Sequence, residues 1–392
     1  MTIFYYIDPK SVFTCTLIKT GHDGMNEVFQ NISKIIERDS KSTTYKFALL
    51  RGVIDIIKDN SPFIIHVDGR VVFPLGLLVE KWLIYYYPII ESELRQIHGG
   101  ANLAFGPQFE LLIRQYSCKG GLSAFYNDLR NIGIPAEVKH DFLNLVYQLY
   151  DTITRMPMKY LGRSINNSYY SIFQFEAKKK RRIGEYVSDK EFLIKDLGTF
   201  SIPVEYYNAF RILGSFISGQ DSILFKWAEF SVNASGKRHS VETILNEVLK
   251  SPISERDILD SKKIYKSILK EEGNVFCVWT GKSITGFDID HVIPFSVWKN
   301  NDLWNLLPSS SKINNQKRNK IPSADMIENQ KEMILHYWGL LDDKLPQRFQ
   351  KEIRIALTGH SAEANWQSVA IEQLKGSSEF LINSRGYEGW KL

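Results

Sequence analysis

Four residues in one stretch of this chain combine the side-chain types needed for acid–base and metal chemistry. Asp290 and His291 are adjacent near the end of an apolar, strand-like run, FDIDHVIPF. Asn305 follows fourteen residues after His291, in WNLLP, and Asn314 nine residues later, in the polar and basic SSSKINNQKRNK. A neutral imidazole can take a proton from water. Carboxylate and carboxamide oxygens suit hard divalent ions such as Mg2+ or Mn2+, with water and substrate filling the other positions. A phosphodiester needs both kinds of help, because its charge repels the attacking water and its leaving oxygen is poor.

Three elements must hold this set: a strand ending near Asp-His, a second strand through WNLLP, and a short helix over KINNQK. Ser309–Ser311 supply the N-cap for that helix. Lys317 stands three residues after Asn314 and so shares its helix face. In a regular strand Asp290 and His291 point to opposite faces, so the strand must twist or end there if both are to serve one phosphate.

The joint pattern DIDH, WNLLP, KINNQKRNKIP resembles the HNH (His-Me finger) nuclease family, over the segment from Phe276 to Pro322. The resemblance implies a ββα finger that cuts DNA with Mg2+ or Mn2+, leaving 5′-phosphate and 3′-hydroxyl ends. It implies His291 as general base, Asp290 and Asn314 as metal ligands, and Asn305 as the brace of the loop that orients the histidine. Lys317 is then a phosphate or transition-state contact. Lys312, Arg318 and Lys320 either hold the nucleic-acid backbone in a salt-sensitive way or form a solvated helix face. Asp288 is an alternative ligand or a surface residue. Many relatives carry two CxxC pairs for zinc, but Cys277 stands alone. No structural zinc is expected, and neighbouring helices must hold the finger instead. The implied partner is double-stranded DNA. Extensions of this length resemble bacterial restriction or anti-phage effectors, with a defence-system protein as a further partner. The other reading is a DNA-binding regulatory subunit that cuts only within a larger assembly.

The rest of the chain constrains this reading weakly. Its 392 residues suffice for two or three domains, and its composition, 44% hydrophobic and 24% charged, is that of a folded protein. A net charge of +5 permits a polyanionic partner without demanding one. Three scattered cysteines, Cys15, Cys118 and Cys277, give no disulfide framework, and the opening MTIFYYIDPK gives no signal peptide, so a cytoplasmic protein is expected. The apolar window Val71–Ile90 is broken by Pro74, Glu80, Lys81 and Pro88 and reads as buried core rather than a membrane span. TGKS at Thr280–Ser283 lacks the earlier glycine of a P-loop.

The fold class expected is α+β and predominantly α-helical, with a C-terminal ββα finger embedded in helices. Residues 1–164 read as a helical module, 165–240 as a mixed region, and 241–392 as the nuclease domain. The openings IFYYIDP and VFTCTLI, together with SYYSIFQFE and EFLIKDLGTFSI, are strand-like. Between the last two lies a basic run, Lys178–Arg182, expected at an exposed turn. VNASGKRHS reads as a linker.

Overall fold

A computed structural model of the chain describes residues 22–38, 42–98, 102–161, 171–176, 189–215, 218–249, 256–360 and 365–392. The first strands expected, IFYYIDP and VFTCTLI, and the basic run Lys178–Arg182 lie outside these residues. The described residues are mostly helical with small sheets, the α+β class expected.

The apolar window Val71–Ile90 forms a strand, Arg70–Pro74, running directly into a helix, Leu75–Glu91. That helix is buried around nearly its whole circumference, including Trp82 and Tyr86. It packs against the equally buried helix Tyr45–Lys58. Arg70–Pro74 pairs antiparallel with Ile65–Val67 through the two-residue turn Asp68-Gly69, where both residues have positive φ (47° and 73°). Such a turn matches the twist of the strands it joins. On the other side Thr199–Pro203 and then Gln174–Glu176 complete a four-stranded antiparallel sheet.

EFLIKDLGTFSI is only partly the strand expected. EFLIKD is a helix, Lys190–Asp196, capped by the Asp189 carboxylate, which accepts from the Phe192 N–H at 2.9 Å. Gly198, at φ 78°, precedes the true strand Thr199–Pro203. The cap and the glycine override the local alternation. VNASGKRHS is likewise not all linker, because the helix Ser218–Ala234 runs into it.

The buried apolar residues fall into two clusters, one from Ile32 to Leu249 and one from Tyr265 to Trp390. The sheet joins strands on both sides of the expected 164/165 boundary. In the second core, Asp288–His291 pairs antiparallel with Leu306–Ser309, and the helix Ser311–Lys317 follows at once. Helices surround this finger and hold its backbone through side chains. The Tyr265 hydroxyl donates to the Leu306 carbonyl at 3.0 Å. The Tyr337 hydroxyl accepts from the Phe276 N–H and donates to the Phe276 carbonyl. The Trp338 indole donates to the Trp304 carbonyl at 2.9 Å. Finally, Gly389–Trp390 pairs in parallel with Ile321–Pro322 just after the finger helix.

A polar seam joins the two bodies. It includes Lys351–Asp189 at 2.8 Å, Arg354–Glu191 at 2.8 Å and Arg130–Asp302 at 3.6 Å.

Gly76 tests the packing of the first core. A Cβ there would lie 1.8 Å from the Leu193 carbonyl oxygen, a backbone atom that cannot swing away. Gly76→Ala should therefore cost about 3 kcal/mol, the upper range for overpacking. Gly339, in the helix Lys331–Lys344, has open space where a Cβ would go, with nothing within 4 Å. Gly339→Ala should instead be neutral or gain about 0.5–1 kcal/mol. Urea midpoints of the two variants check the contrast.

Candidate active site

Alternation along Asp288–His291 turns Asp288 and Asp290 to one side of the strand and Ile289 and His291 to the other. The finger helix packs against this strand. Ser310 starts that helix by accepting from the Ile313 N–H, and Lys317 ends it. The Lys317 ammonium reaches Asp290 Oδ1 at 3.0 Å and the His291 carbonyl oxygen at 2.5 Å. The Trp279 indole donates to Asp290 Oδ2 at 2.5 Å, and its ring lies 5.6 Å from Lys317 Nζ. Asp290 is 4% exposed and Lys317 0%. Burial pushes the Asp290 carboxyl up and the Lys317 ammonium down, while the attraction between them opposes both shifts.

Lys317 therefore departs from the role expected of it. A side chain with no solvent exposure, tied to Asp290 and to the His291 carbonyl, is a buried counter-ion in this arrangement. Lys320, part-exposed, pairs with the exposed Glu388 at 2.5 Å. Lys312 and Arg318 are exposed, and the Arg318 guanidinium donates to the Asn315 carbonyl.

His291 lies on the other side of the strand. It is 3% exposed, with the Phe295 ring edge-on at 5.6 Å. Its Nε2 lies 3.5 Å from Asn301 Oδ1, an oxygen that also accepts from the Asp257 N–H at 3.1 Å. A hydrogen bond to that acceptor requires the tautomer with the hydrogen on Nε2, which would leave Nδ1 to receive a proton. The exposed Arg256 donates to the Ile289 carbonyl at 3.3 Å, beside both Asp290 and His291. Burial and then Arg256 lower His291 to about 4, so its imidazole is neutral at neutral pH.

Asn305 is fully buried and touches no reacting group. Its Oδ1 accepts from the Ile293 N–H at 2.8 Å, and its Nδ2 donates to the Ile293 carbonyl at 3.0 Å. Its own carbonyl accepts from Val292 at 2.8 Å. These bonds close the loop between the two finger strands onto the residues that follow His291. Asn314 is half-buried, on the same helix face as Lys317. Asp288 is half-buried, on the same side of the strand as Asp290.

The donor chemistry fits a hard divalent ion. A carboxylate offers about four lone-pair directions, of which Lys317 and Trp279 take two on Asp290, and Asn314 is a carboxamide residue on the adjoining finger helix. Among the described residues no cluster of three or more His, Cys, Asp or Glu exists, so such an ion would depend on water and substrate for its other positions.

Sequence reasoning missed Arg256, Trp279 and Asn301. Trp279 was visible only as an apolar residue of CVWTG. Arg256 lies outside the motif, and nothing in its neighbourhood signals a role.

A family described as a domain of unknown function, DUF8808, matches residues 25–248, more than half of the chain. The chain belongs to the DUF8808 family. Its matched region coincides closely with the first core. The HNH endonuclease family matches residues 277–323, which take in both finger strands, the finger helix, Trp279 and Lys317. This DUF8808 protein thus carries an HNH domain in its second core. No curated protein and no solved structure matches the chain.

The His291 environment gives a direct test on metal-free protein. Its imidazole should titrate near 4, and Arg256→Ala should raise that value toward the ordinary histidine range by removing a neighbouring cation. NMR of the His291 ring resonances across pH 3–8 measures both; a wild-type midpoint near about 6.5, the unperturbed value, would contradict the burial described.

Proposed function

We propose that this protein is a metal-dependent HNH endonuclease that hydrolyses DNA phosphodiester bonds to 5′-phosphate and 3′-hydroxyl ends. The observation that carries the reading is the Asp290-His291 pair at the end of a finger strand, with the helix Ser311–Lys317 packed against it, inside the segment matching the HNH endonuclease family. His291 takes the proton of the attacking water at Nδ1, with Asn301 fixing the tautomer through Nε2. Arg256, exposed and held by the Ile289 carbonyl, draws the scissile phosphate toward the strand end and balances its charge. Lys317 keeps the Asp290 carboxylate ionised and in place, and Asn305 keeps the loop closed behind His291. A divalent ion held by Asp290 and Asn314 would screen the phosphate and stabilise the leaving oxygen. Lys312 and Arg318 are placed to meet the DNA backbone without reading sequence. In the cell, such an enzyme suits a bacterial restriction or anti-phage effector.

A second reading is favoured by one observation. Asp290 and His291 are almost fully covered, the latter by Asn301, Phe295 and the Arg256 segment. A site so enclosed suits a protein that is latent, or that binds DNA and cuts only within an assembly.

Plasmid cleavage separates the two. With Mg2+ or Mn2+ the wild-type chain should nick supercoiled DNA, chelator should stop it, and His291→Ala should lower the rate by about a hundredfold or more, the range for loss of a general base. Equal cleavage by wild type and His291→Ala would refute the base assignment. DNA binding by both without cleavage by either would favour the assembly reading.

A further inference from the structure

The DUF8808 region touches the finger at one point that leads to His291. Arg130, at the seam, places a guanidinium nitrogen 3.6 Å from Asp302 Oδ1. It is held from behind by Tyr126, whose hydroxyl accepts from Arg130 at 3.4 Å and whose ring lies 5.6 Å from the guanidinium carbon. Asp302 belongs to the loop between the finger strands and organises it. Its Oδ2 accepts from Asn300 Nδ2 at 2.8 Å and from the Trp304 indole at 3.3 Å. Its N–H donates to Asn300 Oδ1 at 2.6 Å, and its carbonyl accepts from the Asn305 N–H at 3.0 Å. Asn301, held between Asn300 and Asp302, is the residue that meets His291 Nε2. Asn305 is the residue that clamps Ile293 from both sides of its peptide.

The second core supports the same loop from further directions, among them Trp338 at the Trp304 carbonyl. Glu352 Oε2 accepts from the Leu303 N–H at 2.6 Å, and Arg348 holds Glu352 Oε1 at 2.7 Å. Arg130, Lys190 and Asp302 line both a small pocket of about 20 Å³, shared with Arg348, Lys351 and Glu352, and a larger seam cavity of about 310 Å³. Lys190 and Lys351 there are engaged by Glu80 and Asp189. Within this cluster Arg130 is the cation that reaches Asp302 from the DUF8808 region.

We propose that Arg130 is a positioning residue for the HNH site, setting His291 through Asp302, Asn301 and Asn305. The DUF8808 region then does more than extend the chain: it supplies the charge that fixes the finger loop, and any partner that moves Arg130 changes the rate of cutting. The inference rests on the nuclease reading above for its catalytic consequence, but not for its mechanical one.

The test uses the full-length chain with Arg130→Gln, Arg130→Lys and, as a control that loosens the seam elsewhere, Arg354→Gln, which removes the pair with Glu191. Amide hydrogen exchange is followed at residues 292–293 and 300–305, and kcat and KM are measured on supercoiled plasmid with Mg2+. Arg130→Gln should speed exchange in both segments and lower kcat by about ten- to a hundredfold, the scale set by small misplacements of reacting groups, with KM within twofold. Arg130→Lys should recover part of kcat, and Arg354→Gln should leave both readouts at wild-type values. Unchanged exchange at 300–305 in Arg130→Gln would overturn the mechanical link. Faster exchange with unchanged or raised kcat would overturn the positioning role. A wild-type chain that cuts no DNA would refute the nuclease reading instead, and the exchange data would still decide the link.

Discussion

The finger depends on one buried ion pair, Asp290 with Lys317. Two opposite charges with almost no access to water are stable only when each satisfies the other and further hydrogen bonds support the pair. Here Trp279 and the His291 carbonyl supply those bonds. The pair therefore fixes three things together: the register of the strand carrying Asp290, the end of the helix carrying Lys317, and the position of the Trp279 ring. Trp390 packs edge-on against Trp279 at 5.2 Å, so the last strand is drawn onto the same joint. The chemistry attributed to Asp290 and His291 follows from a geometry that the pair imposes.

A finger of two four-residue strands and a seven-residue helix cannot bury enough apolar surface to stand alone. In this chain the surrounding helices supply what it lacks, through Tyr265, Tyr337 and Trp338 bonded directly to its backbone. The DUF8808 region adds a second support at the loop between the strands. The result is a site whose donors are held by rigid neighbours but largely covered, which favours control by whatever moves those neighbours.

The HNH segment was legible because its residues are unusual together. Asp-His at a strand end, Asn305 in WNLLP and a serine-capped helix each fit the local chemistry, and the structure forms all three elements. The direction of Lys317 was not legible. Helical spacing places it on the face of Asn314, but spacing cannot say whether that face meets solvent or a buried carboxylate. Arg256 and Asn301 were missed for a related reason: they meet His291 only after the chain has folded back, and neither carries a local signature. In the first core, EFLIKD read as a strand because six residues cannot distinguish two periods, whereas the cap at Asp189 and the turn at Gly198 could have. The pairing of Arg70–Pro74 with Thr199–Pro203 across the expected 164/165 boundary was not legible either, since composition does not report pairing.

The central claim is that Asp290 and Lys317 hold the strand and helix as a unit, and a double-mutant cycle tests it most directly. Urea unfolding of Asp290→Asn, Lys317→Met and the double variant would be measured without divalent metal. Each single variant should lose about 3–5 kcal/mol, because it strands a buried partner, and the double variant should lose far less than their sum. Losses that simply add, to within about 0.5 kcal/mol, would show that the two residues stand independently and would contradict the account.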